Sequence, residues 1–238
     1  MSAAVALRRV HWYHPEAETA AVAAGAWLVL LVAAAGPGAG GDFHAAAHDR
    51  VPLLAGASGW LLMTVAMMVP AALPVARDHA LGALWARRGR TVRLFLASYV
   101  AVWAVFGAIA AAGVSLVEHL GVGMSGLLAA TLFVGAGWEL TAAKWRSVRA
   151  CHQISPLPPR GGRADRACAR AGATYGRRCV AACWAPMLAM AVAGHASMGL
   201  MVLLSVVIAA EKYLARPARF AVPLAAVLAS AGLVSYAS

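Results

Sequence analysis

The stretch WLLMTVAMMVPAALP, residues 60–74, combines three methionines and two prolines in one apolar run. It belongs to a longer run at about 52–76 that can cross the ~30 Å hydrocarbon core of a bilayer as a helix. Six further runs of this kind lie at about 20–36, 92–117, 120–143, 177–194, 196–214 and 220–237. Because open sheets facing lipid would leave backbone amides unpaired, the sequence predicts an all-α, polytopic transmembrane helical bundle of about seven spans.

The overall composition also indicates a membrane protein. The 238 residues are 62% hydrophobic and only 12% charged, which is too little charge to cover the surface of a soluble domain. We therefore expect a single integral membrane domain over residues 1–238, in contact with the lipid bilayer. A polar segment rich in Pro and Gly, at about 144–176, is expected to form a flexible cytoplasmic loop.

The basic residues predict the orientation of the bundle. If the N-terminus is cytoplasmic, the loops that hold Lys and Arg all lie inside, and of the 20 basic residues only Arg50 lies outside. The net charge of +11 is therefore interpreted as a topology signal and an attraction to anionic lipid. Nucleic-acid binding is not expected, because no basic face interleaved with aromatic residues accompanies the charge.

Sulfur-containing side chains recur at helical spacing in two of the predicted spans. Residues three or four positions apart lie on one face of a helix. The two series are Met63, Met67 and Met68 in the second span, and Cys179, Cys183, Met187 and Met190 in the fifth span. Counted from the cytoplasmic ends of the two spans, the series occupy similar depths. If the two helices touch, their sulfur atoms would form one continuous set.

These sulfur atoms predict a site for a soft metal ion. Thiolate and thioether ligands select Cu(I), with zinc possible where cysteine dominates. Arg177, Arg178 and the start of the fifth helix are expected to favour thiolates at Cys179 and Cys183, and all four cysteines are expected to be free thiols. The alternative is that flexible methionines fill gaps between helices, in a structural or assembly subunit with no metal site.

Acidic and basic side chains near the cytoplasmic ends of the spans are candidates for a supporting role. Ionisable groups at this depth are costly, so a functional or paired role is expected for Glu139 and Glu211. In the alternative interpretation, Glu139 extends toward Lys144 and Glu211 pairs with another cation of the bundle. Lys212 is expected to extend toward the interface.

Two further groups of residues are candidates for capturing or receiving the metal. Asp42, His44 and His48 form a cluster in the predicted extracytoplasmic loop, where imidazoles and a carboxylate suit copper or zinc. The alternative is an exposed polar loop without metal. On the cytoplasmic side, Cys151 and Cys168 are candidates for receiving metal from the sulfur series.

Four motifs, in order over about 60–215, resemble those of a known family. They are WLLMTVAMMVPAALP at 60–74, WELTAAKWRSVRACHQ at 138–153, GATYGRRCVAACWAPM at 172–187 and AAEKYL at 209–214. The family consists of bacterial integral membrane proteins, largely uncharacterised, that are labelled predicted metal-binding and in some cases copper chaperones. The resemblance implies that Lys144 and Cys151 occupy family positions. It also implies two adjacent cysteines before Trp184, where this chain has Ala182 and Cys183.

Residues and resemblance together predict a bacterial inner-membrane protein that handles Cu(I) by transfer, chaperoning or transport. A copper-requiring membrane or extracytoplasmic protein is the expected partner. No phosphate-binding loop is present in the sequence, so any transport would be passive or driven by exchange or by a partner. An enzyme is not expected, because the sequence shows no nucleophile–base motif and few intramembrane histidines that would hold a catalytic metal.

Overall fold

The computed structural model describes residues 14–35, 52–153, 156–158, 160–193, 198–214 and 217–237. Within these ranges the chain forms eight α-helices, two short 3-10 turns and no strand, so the predicted all-α class is confirmed for them. The helices are α1 (Ala17–Ala35), α2 (Pro52–Leu81), α3 (Arg88–His119), α4 (Met124–Glu139), α5 (Ala142–Cys151), α6 (Gly161–Ala193), α7 (Met198–Tyr213) and α8 (Ala221–Ala237).

Length and mean hydropathy identify the helices that are able to cross a membrane. In the described ranges there are four, at Ala17–Ala35, Gly56–Leu81, Trp85–His119 and Ala218–Ala237. The consecutive helices α4 and α5, bent by 76° at the break between them, are a fifth candidate if they count as one span. Two predicted spans do not qualify by these criteria, because α6 carries arginines along its first half and α7 has only 16 residues.

Most of the segment that we expected to be a loop, about 144–176, is helical. The hydroxyl of Thr141 accepts a hydrogen bond of 3.2 Å from the backbone N–H of Lys144, which caps α5. The first turns of α6 contact the start of α3, because Asp165 pairs with both Arg87 and Arg90, the latter at 2.8 Å. The prediction of a loop does not hold for these two stretches, since a cap and ion pairs outweigh the Pro and Gly content.

Two prolines in α2 leave backbone carbonyls free to accept hydrogen bonds from side chains of other helices. A proline has no backbone N–H, so the carbonyl four residues earlier loses its helical partner. Pro70 and Pro74 in this way free the carbonyls of Ala66 and of Pro70 itself. The indole of Trp27, in α1, donates to the Ala66 oxygen at 2.8 Å, and the hydroxyl of Tyr213, in α7, donates to the Pro70 oxygen at 2.7 Å. The prolines therefore bind α1 and α7 to α2.

Two buried tyrosines attach further helices to the same part of α2. The hydroxyl of Tyr99, in α3, donates to the carbonyl of Met68 at 3.1 Å. The hydroxyl of Tyr175, in α6, donates to the carbonyl of Ala71 at 3.0 Å. Because both tyrosines are buried, each hydroxyl needs such a partner. Four helices thus donate side-chain hydrogen bonds into the stretch around the two prolines.

A close helix contact lies between α3 and α6. Gly172 leaves no room for a side chain, because a Cβ atom at this position would overlap the carbonyl oxygen of Phe95. One turn later, a Cβ atom at Gly176 would lie 3.0 Å from the Cβ of Val102. Small residues four apart are a common device for close approach of membrane helices. This contact brings the next turn of α6, with Cys179, beside α3.

Several helix ends meet at one basic end of the bundle. The guanidinium of Arg77, in α2, lies 3.6 Å from Glu16, which precedes α1. Arg93, in the first turns of α3, lies 4.0 Å from Glu18 in α1. Together with the contacts of Asp165, these ion pairs place the starts of α1, α3 and α6 and the end of α2 on the same side. Such exposed pairs contribute little stability, but they define which ends of the helices lie together.

Candidate metal centre

The structure buries every sulfur-bearing residue of the two predicted series. Each has an exposed fraction of 4% or less, and all belong to one hydrophobic core. The residues are Met63, Met67 and Met68 in α2, and Cys179, Cys183, Met187 and Met190 in α6. Their side chains are thus shielded from lipid and water, which both metal ligation and helix packing require.

The two series approach each other at the hydroxyl of Tyr99. This oxygen lies 3.1 Å from the carbonyl oxygen of Met68 and 3.3 Å from the sulfur of Cys179. The Met68 backbone and the Cys179 thiol are therefore within two hydrogen-bond lengths of each other. The sequence analysis did not include Tyr99, although a lone tyrosine in the apolar stretch LFLASYVAVWAV is a residue whose hydroxyl needs a buried partner.

The predicted effect of a helix start on the cysteines does not hold. The helix that carries Cys179 begins at Gly161, so this thiol lies in its interior rather than in its first turn. Arg178 donates instead to the backbone carbonyl of Ala150 at 2.9 Å, and Arg177 contacts Thr174 at 3.4 Å. The thiols Cys179 and Cys183 adjoin each other at one helical turn, as their spacing predicts.

The cation that accompanies the thiols is Lys212, on α7. Its ammonium interacts electrostatically with Cys151, Cys179 and Cys183 and lies 5.5 Å from the ring centre of Tyr175. Lys212 is only 7% exposed, and its nitrogen has no oxygen or nitrogen partner within the described residues, so the thiols of Cys151 and Cys179 are the acceptors near it. The prediction that Lys212 extends toward the interface is therefore wrong. A buried ammonium without an oxygen or nitrogen partner is costly, and a thiolate nearby would offset that cost.

A second buried cation, Lys144, joins the two acidic candidates. Its ammonium pairs with Glu139 and lies 2.5 Å from Glu211. The pairing of Glu139 with Lys144 in the alternative interpretation is thus confirmed, and Glu211 shares the same cation. All three side chains are 1% exposed or less, and the second oxygen of each carboxylate has no hydrogen-bond partner within the described residues. Lys144 thus links the end of α4 and α5 to α7.

The remaining cysteines, Cys151 and Cys168, are free and buried. The thiol of Cys168 donates to the carbonyl of Thr91 at 3.2 Å, far along α6 from the sulfur series. Burial, together with the nearby charge of Asp165, raises the pKa of Cys168 to about 11. Cys151 is nearer to the sulfur series, because its thiol interacts electrostatically with Cys179 and Lys212. Of the two cysteines that the sequence suggests for receiving metal, Cys151 therefore lies near the sulfur series and Cys168 does not.

The extracytoplasmic candidates Asp42, His44 and His48 lie outside the described residues. Within the described ranges, no three His, Cys, Asp or Glu side chains lie close enough to hold a metal ion together. A metal site among the buried residues would therefore need methionine sulfur in addition to the thiols. Thioether ligands of this kind suit Cu(I).

A comparison with protein families finds a match over most of the chain. A family model named PpoB2 and described as "Copper chaperone" matches residues 57–235 of the chain. No curated protein and no solved structure matches it. The matched range contains both sulfur series and the four buried charged residues Glu139, Lys144, Glu211 and Lys212.

Proposed function

Because the chain belongs to the PpoB2 family, described as copper chaperones, we propose that it is an inner-membrane protein that binds Cu(I) and passes it on. Delivery to a copper-requiring partner and release across the bilayer are the two routes this proposal includes. The role is non-catalytic, since a chaperone carries its cargo unchanged. The observation that supports the proposal most is the hydroxyl of Tyr99, within 3.3 Å of both the Met68 carbonyl and the Cys179 sulfur.

The proposed ligands are the thiolates of Cys179 and Cys183 with thioethers from the two methionine series. Two thiolates with one or two thioethers form a soft, low-coordinate set that favours Cu(I). Zinc would require four ligands in a tetrahedron and prefers nitrogen or thiolate over thioether. We therefore propose copper as the cargo, bound between α2 and α6.

The charge of Lys212 supports the same assignment. A Cu(I) ion with two thiolates carries one negative charge, which is costly in a buried site unless a cation accompanies it. The ammonium of Lys212 is buried, interacts electrostatically with both thiols, and has no oxygen or nitrogen partner within the described residues. Its charge would balance that of the copper complex.

We further propose the seven-span topology with a cytoplasmic N-terminus. The grouping of Arg77, Arg90 and Arg93 with the starts of α1 and α6 supports it, because these helix ends should share the cytoplasmic side. A reporter inserted after Pro158 should be cytoplasmic, and one fused after Ser238 should be extracytoplasmic. A cytoplasmic C-terminus would remove one span from the region between α6 and α8.

Metal analysis of the purified full-length protein tests the proposed site. The protein, reduced and loaded with Cu(I) in detergent, should retain copper in preference to zinc. Replacing Cys179 and Cys183 with serine should abolish retention. Met67→Leu with Met68→Leu keeps the apolar volume nearly unchanged, so loss of copper with retained folding would separate ligation from packing. Met201→Leu is the matched control, because Met201 is buried in α7 outside both series.

Two results would contradict the proposal. Equal copper retention in wild type and in all three variants would show that the sulfur series do not ligate the ion. Absence of copper from every protein would favour the alternative of a structural or assembly subunit, in which methionine and glycine pack the helices.

A further inference from the structure

A cavity of about 270 Å³ opens beside the candidate metal centre, between the end of α2, the first half of α6 and the segment after α5. Gln153 and Arg170 in its lining are exposed, whereas His79 and Tyr175 are buried. The cavity therefore connects the exposed basic surface with side chains of the core. The polar side chains that line it are His79, Gln153, Arg170, Thr174, Tyr175 and Arg178.

The described lining is positively charged. It contains the guanidinium groups of Arg170 and Arg178 and no carboxylate. Arg170 makes no hydrogen bond or ion pair within the described residues, and the two backbone contacts of Arg178, to Ala150 and Gln153, both use Nη1. Guanidinium groups with free N–H donors bind planar anions such as carboxylates. The chemistry of the lining thus suits a small carboxylate-bearing molecule.

The inner wall of the cavity adjoins the candidate metal centre. Tyr175 lines the cavity, and the ammonium of Lys212 lies 5.5 Å from the centre of its ring. Lys212 in turn interacts electrostatically with Cys179 and Cys183. Tyr175 therefore lines the cavity and also adjoins the cation beside the thiols. An anion in the cavity would also be attracted by this buried cation.

We propose that the cavity binds a small, carboxylate-bearing thiol compound that delivers Cu(I) as an anionic complex. This inference rests on the proposed function. The volume is slightly below that of pockets for drug-sized ligands and suits a molecule of two or three amino-acid residues. Arg170 and Arg178 hold its carboxylates at the mouth, and its copper faces Tyr175.

Transfer to the protein is a ligand exchange. Once the side chain of Tyr175 turns aside, the thiols of Cys179 and Cys183 displace the donor thiolate from the ion. One cysteine proton goes to the departing donor thiolate, and the other goes to solvent. Two copper–sulfur bonds form and one breaks, and copper remains Cu(I) throughout. The copper–thiolate core gains one negative charge, which the ammonium of Lys212 balances.

Two donors of the same thiol chemistry and opposite charge test the proposal. Full-length protein in detergent is mixed with Cu(I) bound to glutathione, which carries carboxylates, or to 2-aminoethanethiol, which carries an ammonium group. Arg170→Gln should slow copper uptake from glutathione about tenfold and leave uptake from 2-aminoethanethiol unchanged or faster, because the cationic donor is no longer repelled by Arg170. Arg170→Lys should retain most of the rate. Arg166→Gln is the control, because Arg166 lies one turn away in α6 and bonds its own helix at Gly162.

The final copper content separates this proposal from the proposed function. If Arg170→Gln reaches the wild-type copper content with both donors, the metal centre is intact and only entry has changed. Equal rates in wild type and variant with both donors, or equal slowing with both, would overturn the cavity proposal alone. Slowing of the wild type by anionic lipid vesicles with both donors alike would assign the arginines to headgroups and would also overturn it. No uptake by the wild type from either donor would overturn the proposed function itself.

Discussion

The indole nitrogen of Trp27 donates a hydrogen bond of 2.8 Å to the carbonyl oxygen of Ala66, the carbonyl that Pro70 leaves without a helical partner. The same relationship recurs twice. Tyr213 donates to the carbonyl freed by Pro74, and Trp138 donates at 3.3 Å to the carbonyl of the residue four before Pro186. Each proline within a long helix thus supplies an acceptor for the side chain of a different helix, which turns a local defect into a specific contact.

A double-mutant cycle tests this relationship. Trp27→Phe should lower the free energy of unfolding by about 1 kcal/mol, because the Ala66 carbonyl loses the donor that replaces its helical partner. In a Pro70→Ala background the same substitution should cost less, since alanine restores the backbone N–H that bonds Ala66. Unfolding in a denaturing detergent, followed by circular dichroism, measures both costs. Equal costs in the two backgrounds would mean that Trp27 acts through packing alone.

A second prediction concerns the close contact of α3 and α6. Gly172→Ala should lower the free energy of unfolding by about 2 kcal/mol or more, because the new Cβ would overlap the Phe95 carbonyl and push the helices apart. Copper retention should fall with it, since Cys179 lies on the displaced part of α6. Gly137→Ala is the control, because nothing lies within 4 Å of a Cβ there. A neutral effect of Gly172→Ala on both measurements would contradict the close approach.

The sequence sufficed for the helical class and for the approximate positions of seven helical segments. Each of those segments is an apolar run, and hydropathy is a local property of the chain. The spacing of Cys179 and Cys183 likewise predicted neighbouring thiols, because helix geometry alone decides it. The extra helix α5 was missed, since AAKWRSVRAC is polar and only its cap at Thr141 indicates a helix start.

The neighbours of the thiols could not be predicted in the same way. Tyr99 and Lys212 reach the site from α3 and α7, and their positions depend on which helices touch and at what rotation. Glycines such as Gly137 and Gly172 both lie in helices of the bundle, yet the close approach uses Gly172, and nothing lies within 4 Å of a Cβ atom at Gly137. One sequence carries no information on which of several small residues faces another helix. Which helices contact one another, and through which faces, is therefore the feature of the site that the sequence does not predict.

A third prediction uses the thiol at the basic end of the bundle. Burial raises the pKa of Cys168 to about 11, and only the thiolate reacts with iodoacetamide. Alkylation of Cys168 in the folded protein should thus be slow at pH 8 and accelerate about tenfold per pH unit toward pH 11. In the unfolded protein this thiol ionises at a lower pH than in the folded protein. The free energy of unfolding should therefore fall as pH rises toward 11. Mass spectrometry of the labelled peptide measures the rate, and rapid labelling at pH 7 would contradict the prediction.

The last prediction separates the two roles that Lys212 can have. Lys212→Met has similar length and removes a buried ammonium that has no oxygen or nitrogen partner within the described residues, so the copper-free protein should unfold at the same or a higher temperature. The copper complex with two thiolates would lose its balancing cation, so Cu(I) affinity, measured by competition with a chromogenic chelator, should fall about tenfold or more. Lys212→Arg keeps the charge and should retain most of the affinity.

A stability that is unchanged or higher, together with a lower Cu(I) affinity, is expected only if the cation serves the metal site. A copper-free protein that is destabilised by Lys212→Met, with unchanged affinity for Cu(I), would show that Lys212 is a packing residue and that the charge argument for the metal centre fails.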